Sequence, residues 1–371
     1  MAKVVLKRNS STPSFEACRL AADAYLNRER PLDITAKQHY EEIVEASGYS
    51  GDDIKYYNPT RYTSGPIILD VRTADSEMPD PYYAGHLPGA IYVPWREIVA
   101  TGTLACLPKD RKLVVYSSNG QTGGQAAAIL GILGYDVANL KWGIGSWTSD
   151  TDAAPGRYSL LRDTIWNEGS AHRTVTSDRS TFRARSLADE HQEKYPFPEA
   201  VAPGEESDVI LQAARRYLDR CHAPNISGPE LYRRLYAGQD AHFLCPPGSN
   251  EQSHGEFPFL LDVRESKPRG LGYVSGSLHV QRKEVFKIEN LRRLPPDRLI
   301  VVHSATGHTG AQVTALLGVL GYRVTNLRFG ISAWSLSLPG AEIAPGRYWA
   351  ERDCQNFQVV AGFEAFVRCN T

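Results

Sequence analysis

An α/β fold built as two equivalent units, each a central parallel sheet flanked by helices, follows from three features of the sequence. The first is duplication. Leu113 to Trp147 matches Ile300 to Trp334 at 19 of 35 positions without a gap, and internal similarity of that order marks a repeated structural unit. The second is strand type: runs such as Ile67-Ile68-Leu69 and Leu113-Val114-Val115, with their counterparts, are continuously apolar, as parallel strands covered on both faces must be. The third is the alternation of these runs with apolar helical stretches, which places crossover helices on the faces of a parallel sheet.

In order along each unit, an apolar strand ends in Asp70-Val71-Arg72, repeated as Asp262-Val263-Arg264. A short strand near Ala90 to Val93 follows, then a strand at Leu113 to Tyr116, a helix from Gln121 to Leu133 and a strand at Val137 to Leu140. Upstream, Ala21 to Leu26 matches Ala213 to Leu218, and downstream Ala154-Pro155-Gly156-Arg157-Tyr158 recurs at Ala344 to Tyr348. The expected division is an N-terminal domain over 15–168, a linker over 169–205, a C-terminal domain over 206–350 and a tail over 351–371. At 371 residues the chain has room for two full cores. The linker is rich in Ser, Thr, Arg, Glu and Pro, and part of it is expected to wrap a domain or form a short helix near Ser186 to Lys194.

Composition narrows the function classes. Charged residues make up 22% and the net charge is −1, so no field draws nucleic acid or an anionic membrane. The longest nearly apolar run, Ala126 to Tyr135, is too short to span a bilayer. Met1 to Arg8 holds no secretory stretch, and a cytoplasmic protein is expected. The six cysteines show no C-x-x-C spacing and read as free structural thiols. No metal or organic cofactor has a recognisable site.

Chemistry concentrates in two copies of one loop, Ser117-Ser118-Asn119-Gly120-Gln121-Thr122-Gly123 and Ser304-Ala305-Thr306-Gly307-His308-Thr309-Gly310. Each joins a strand end to a helix N-terminus, where backbone N–H groups converge and favour an anion. Strand carboxyl ends are also where open α/β sheets bind ligands.

Asp70-Val71-Arg72, Gly85-His86-Leu87-Pro88-Gly89-Ala90-Ile91 with Val93-Pro94-Trp95, and the loop with Gly120 and Thr122 closely resemble a rhodanese domain. The second unit resembles a weaker copy, in which Gly276-Ser277-Leu278-His279-Val280 departs from the Gly-His-hydrophobic-Pro-Gly element. The resemblance implies a tandem-domain sulfurtransferase, in which a cysteine opening the loop carries sulfane sulfur as a persulfide. Here Ser117 and Ser304 stand at that position and no cysteine falls in either loop. A hydroxyl has no persulfide equivalent and is a far weaker nucleophile than a thiolate.

Three functions stay open. In the first the pocket is repurposed to bind, and by His-assisted acid–base chemistry convert, a small anionic or polar metabolite. Ser304, His308 and His303 are then the candidate catalytic residues, because an imidazole beside a hydroxyl supports base-assisted attack. Candidate ligand-binding residues are Thr306, Gly307, Thr309 and Gly310 in the second loop and Ser117, Gly120, Gln121 and Thr122 in the first. Trp95 and Arg96 are added because an aromatic beside an arginine suits an anionic or planar ligand. In the second function the protein is a thiosulfate sulfurtransferase whose loop cysteine has been replaced by serine in this sequence. In the third it is a non-catalytic scaffold. Asp70, Asp262, Arg72 and Arg264 are expected to hold a neighbouring loop, and His86 to pack a turn.

Overall fold

The computed structural model describes residues 11–73, 80–150, 152–154, 174–175, 194–198, 206–221, 223–236, 257–265, 273–274, 276–334, 355 and 357–360. Its first unit contains α1 (Pro13–Asn27), β1 (Asp33–Ile34), α2 (Ala36–Ser47), β2 (Ile67–Asp70), α3 (Pro81–Ala84) and β3 (Ala90–Tyr92). It continues through α4 (Thr101–Cys106), β4 (Leu113–Tyr116), α5 (Gln121–Ile132), β5 (Val137–Leu140) and α6 (Ile144–Trp147). After β6 (Thr174–Val175), the second unit runs through α7 (Glu206–Arg220), β7 (Asn225–Ile226), α8 (Gly228–Tyr236), β8 (Phe259–Asp262), β9 (Tyr273–Val274) and β10 (Leu278–His279). It closes with α9 (Ile288–Leu291), β11 (Ile300–His303), α10 (His308–Val319), β12 (Val324–Leu327) and α11 (Ile331–Trp334).

Each unit holds one parallel five-stranded sheet, in the order β1-β5-β4-β2-β3 and, equivalently, β7-β12-β11-β8-β10. Two α/β units with central parallel sheets are what the apolar strand pattern predicts. Strand parity then sorts the side chains. Leu69, Leu113 and Val115, with Leu261, Ile300 and Val302, enter one apolar cluster that is continuous across both units. Ile68, Val114 and Tyr116 face the opposite side of the first sheet, and Leu260 and Val301 that of the second.

The shared cluster exists because helices cross between the units. Helix α1 starts at Thr12, whose hydroxyl accepts the Phe15 N–H at 3.2 Å, with Pro13 at the first helical position. It packs against α5 and α7, while α5 and α10 pack directly on each other. Two glycines permit the closest approaches: a Cβ on Gly131 falls 2.2 Å from the Tyr25 ring of α1, and one on Gly318 falls 2.2 Å from the Tyr217 ring of α7.

Two expectations change. Register places Ile91 opposite Leu69 and Leu278 opposite Leu261, so Gly276 (φ 82°) is the counterpart of Gly89 (φ 70°). The Gly-His-Leu-Pro-Gly segment at 85–89 therefore corresponds to 272–276, four residues before the stretch that resembles it in sequence, because the second unit is five residues shorter after its Asp-Val-Arg. Cys106 is disulfide-bonded, to a partner outside the described residues, whereas Cys18 and Cys221 are free and buried. Residues 186–193 of the expected linker helix lie outside the described residues, but the linker does touch the body, with Phe197 4.7 Å from the Phe15 ring. No helix among the described residues is long and apolar enough to cross a membrane.

Candidate functional site

Ser117 follows β4 and Ser304 follows β11, each at the carboxyl end of a central strand. The chain then turns through a left-handed glycine, Gly120 (φ 80°) or Gly307 (φ 86°), into α5 or α10. This geometry folds the helix N-terminus back over the serine. Gly120 and Gly123 donate their N–H groups to Ser117 Oγ, both at 3.1 Å. Gly307 and Gly310 do the same to Ser304 Oγ, both at 3.1 Å. Two of the N–H donors that such a loop offers an anion are thus spent on its own hydroxyl, and each serine is only 4% exposed.

Each loop is also covered by the other. Gln121, fully buried at the start of α5, accepts a hydrogen bond from Asn326 Nδ2 at 2.8 Å through Oε1. A Cβ on Gly307 (φ 86°) falls 2.8 Å from that same oxygen and 2.8 Å from the Phe329 backbone nitrogen, so the position favours glycine. His308, the counterpart of Gln121, lies in the first unit's loop. Protonated at Nδ1, its ring donates to Thr306 Oγ1 at 3.0 Å and accepts the Trp142 N–H at Nε2 at 3.1 Å. Protonated instead at Nε2, it donates to Asn119 O at 3.2 Å. Its edge packs on Trp142, with ring centroids 4.5 Å apart. Burial pushes the imidazole down to about 4, against a smaller upward pull from Asp33, so it is neutral at pH 7.

Trp142 (φ 66°) and Phe329 (φ 59°) are the non-glycine residues with positive φ among those described, and they are counterparts. Backbone strain of about 1–3 kcal/mol each at matched positions beside the two loops fits the tight return of β5 and β12 against them. Around this seam, Gln125 Nε2 donates to Pro224 O at 2.9 Å and Gln312 Nε2 to Asp33 Oδ1 at 3.1 Å, each crossing to the opposite unit. Asn225 Nδ2 reaches Thr122 Oγ1 at 3.4 Å.

His303 points elsewhere. By strand parity it belongs with Val301, on the sheet face opposite the seam, as Tyr116 belongs with Val114. Ser277 gives its hydroxyl proton to Val274 O at 2.7 Å, so the His303 contact to Ser277 Oγ at 2.9 Å is a donation from Nε2–H. Burial pushes His303 down to about 4, opposed by Asp262. In the first unit Tyr116 donates instead to Asp70 Oδ2 at 2.8 Å and accepts Leu87 N–H at 3.2 Å.

The structure therefore gathers Ser117, Gly120, Gln121, Thr122, Ser304, Thr306, Gly307, His308 and Gly310 at one seam and leaves His303 outside it. Ser304 Oγ and the His308 ring have separate hydrogen-bond partners among the described residues. Thr309 is half-buried beside them. Trp95 and Arg96 serve α7: Trp95 packs edge-on to Tyr217, and Arg96 donates to Leu218 O at 2.8 Å and Cys221 O at 2.6 Å, capping the end of that helix. Asp70 and Arg72 form a buried pair in which the guanidinium also donates to Ala153 O and Gly85 O, tying three segments together. Asp262 and Arg264 repeat the pair. His86 packs flat on Tyr82, with ring centroids 3.7 Å apart.

Trp142, Asn119 and Asn326 belong to the seam although none of them was a candidate site residue in the sequence. The signal was present in the repeat itself, since Val137-Ala138-Asn139-Leu140 and Val324-Thr325-Asn326-Leu327 carry an asparagine at an otherwise apolar strand position.

A family model described as Rhodanese-like domain matches residues 59–150 and again 249–337. No curated protein matches the chain. Among solved structures, a rhodanese-related protein from Thermoplasma volcanium is 23% identical over 31% of this chain and 88% of its own, with a TM-score of 0.23. A thiosulfate sulfurtransferase from Pseudomonas aeruginosa is 16% identical over 88% of this chain and 49% of its own, with a TM-score of 0.25. A 3-mercaptopyruvate sulfotransferase from Escherichia coli is 16% identical over 80% of this chain and 98% of its own, with a TM-score of 0.26.

Proposed function

This chain is a tandem pair of rhodanese-like domains, and on that premise we propose that it works as a binding scaffold that carries no sulfur on its loops. One observation supports this above the others. Where a sulfur-carrying thiol would open each loop there is a serine whose Oγ is held by two of its own loop N–H groups. The remaining chemistry of the seam is structural: His308 and Gln121 join the two domains, and His308 is a poor base once its conjugate acid titrates near 4. The test is sulfur transfer from thiosulfate to cyanide. Wild-type protein is expected to show no turnover and no cyanide-labile sulfur, and Ser304→Cys or Ser117→Cys to gain at most a trace. Turnover by the wild-type chain would end the scaffold reading.

A second reading keeps one supporting observation. Ser118, Asn119, Thr122, Ala305 and Thr309 are half-buried rather than enclosed, so the outer rim of the two helix N-termini offers a small anion some access. Under this reading sulfate or a small carboxylate binds measurably by calorimetry and the affinity falls at least tenfold in Thr122→Val with Thr309→Val. Unchanged heats would remove it.

A further inference from the structure

Beyond the loops, a segment from the far end of the chain lies on the first domain. Gln355 N–H donates to Ser146 O at 3.0 Å, Phe357 N–H to Trp147 O at 2.7 Å, and Trp147 Nε1–H to Gln358 O at 2.8 Å. His86 and Val360 exchange both backbone hydrogen bonds, at 2.9 and 3.0 Å, as an antiparallel bridge. Phe357 stacks on Tyr40, with ring centroids 4.2 Å apart, and meets Trp147 edge-on at 4.9 Å. Val359 joins the apolar cluster behind them. Main-chain bonds along an extended segment, with one aromatic side chain in a pocket, are the pattern of peptide recognition by strand addition.

The second domain repeats the slot. Tyr232 and Trp334 stand 6.2 Å apart at 45°, as Tyr40 and Trp147 stand 6.3 Å apart at 49°. Tyr273, the counterpart of His86 by register, lies on β9, which pairs antiparallel with β6 of the segment between the domains. Each domain thus takes an added strand from outside its own sheet-forming stretch. In both domains, then, the residue at this register position pairs antiparallel with a segment from elsewhere in the chain.

We propose that the slot formed by Tyr40, Trp147 and His86 is a docking site for an extended peptide carrying an aromatic residue and, three positions later, a β-branched one, with Gln355–Val360 as its resident occupant. The proposal deepens the scaffold reading and rests on it for its biological use. A tethered occupant competes at an effective concentration of order millimolar, so an outside peptide enters well only when the tether is cut or the tail weakened.

The test uses the full chain with a protease site inserted after Gly340, cut in reducing buffer so that no disulfide retains the tail. A fluorescent peptide covering residues 353–362, with Cys354→Ser, is followed by anisotropy. Cut protein is expected to bind it at least tenfold more tightly than uncut protein, and the Phe357→Ala peptide at least tenfold more weakly than the unaltered peptide. Equal binding of the two peptides, no difference between cut and uncut protein, or a cut tail that neither leaves nor exchanges over days would each overturn the proposal. Should the insertion disturb folding, an uncut chain carrying Phe357→Ala and Val360→Pro enters the same assay, with the same tenfold gain expected and its absence counting against the slot. Sulfur-transfer turnover decides the scaffold reading and peptide exchange decides this one, so either can fail alone.

Discussion

His308→Ala deletes an imidazole whose two nitrogens serve Thr306 Oγ1 and, across the domain seam, the Trp142 N–H or Asn119 O. Leaving such buried groups unmet costs about 1–3 kcal/mol each, so urea denaturation is expected to show a loss of about 2–4 kcal/mol. His308→Gln supplies the residue that the first loop already uses at this position, and is expected to lose less than about half as much. Equal losses would mean that the ring fills space and its polar contacts do not matter. The buried Asp70–Arg72 pair belongs to the same scale. Asp70→Ala strands a guanidinium that burial and its partner hold in place, and removing one member of such a pair costs about 3–5 kcal/mol. Asp70 was legible as a loop-holding charge from its strand-end position. The carbonyls that complete the arrangement, Ala153 O and Gly85 O, were not.

Among the elements, the return from β5 to α6 carries the sharpest constraint. Gly143 has φ 55°, and a Cβ there falls 1.9 Å from Ser117 O, a backbone atom that cannot yield without moving the loop. Gly330 repeats this at 2.1 Å from Ser304 O. Gly134 (φ 87°) ends α5 in the open, its nearest neighbour the Lys109 Nζ at 3.9 Å. Gly134→Ala is therefore expected to cost only the left-handed penalty of about 1–2 kcal/mol, and Gly143→Ala clearly more, with the difference read from paired thermal melts. Similar melting temperatures for the two variants would show that the seam relaxes around the added methyl. The strands and the long helices at this scale were legible, because continuous apolar runs and the repeat report local structure directly. The counterpart of the Gly-His-Leu-Pro-Gly segment was not. Its residues changed identity while only backbone register kept their place, as Gly276 opposite Gly89 shows.

Across the whole molecule, buried neutral histidines are expected to set the acid limit of stability. His303 and His308 titrate near 4 in the folded state, against about 6.5 when unfolded. His39 and His86 are lowered in the same direction by burial. Below about 6.5 the unfolded chain binds protons that the folded chain refuses, so stability falls as pH drops. The loss is complete near pH 4, where the folded groups titrate too. Each of the two strongest contributors accounts for up to about 3 kcal/mol at 1.36 kcal/mol per unit. Chemical denaturation at pH 7.5 and at pH 4.5 is expected to show the drop, and His308→Gln to show a smaller one. A pH-independent midpoint would mean that these sites admit water and charge freely.

Duplication, parallel sheets and the placement of both serine loops at strand ends were decided by the sequence alone, because all three rest on patterns within short stretches of chain. The identity of the loop residue was equally plain: serine stands at 117 and 304, and a hydroxyl has no persulfide equivalent. Only the tertiary structure decided what those loops face. His308 meets a backbone 166 residues away, Arg96 caps a helix more than 120 residues downstream, and Phe357 completes a pocket beside Tyr40. Most of these partners are main-chain atoms, which every residue carries alike, so no pattern of side chains along the sequence announces them. Packing of α5 on α10 closes the two loops on each other as one buried seam.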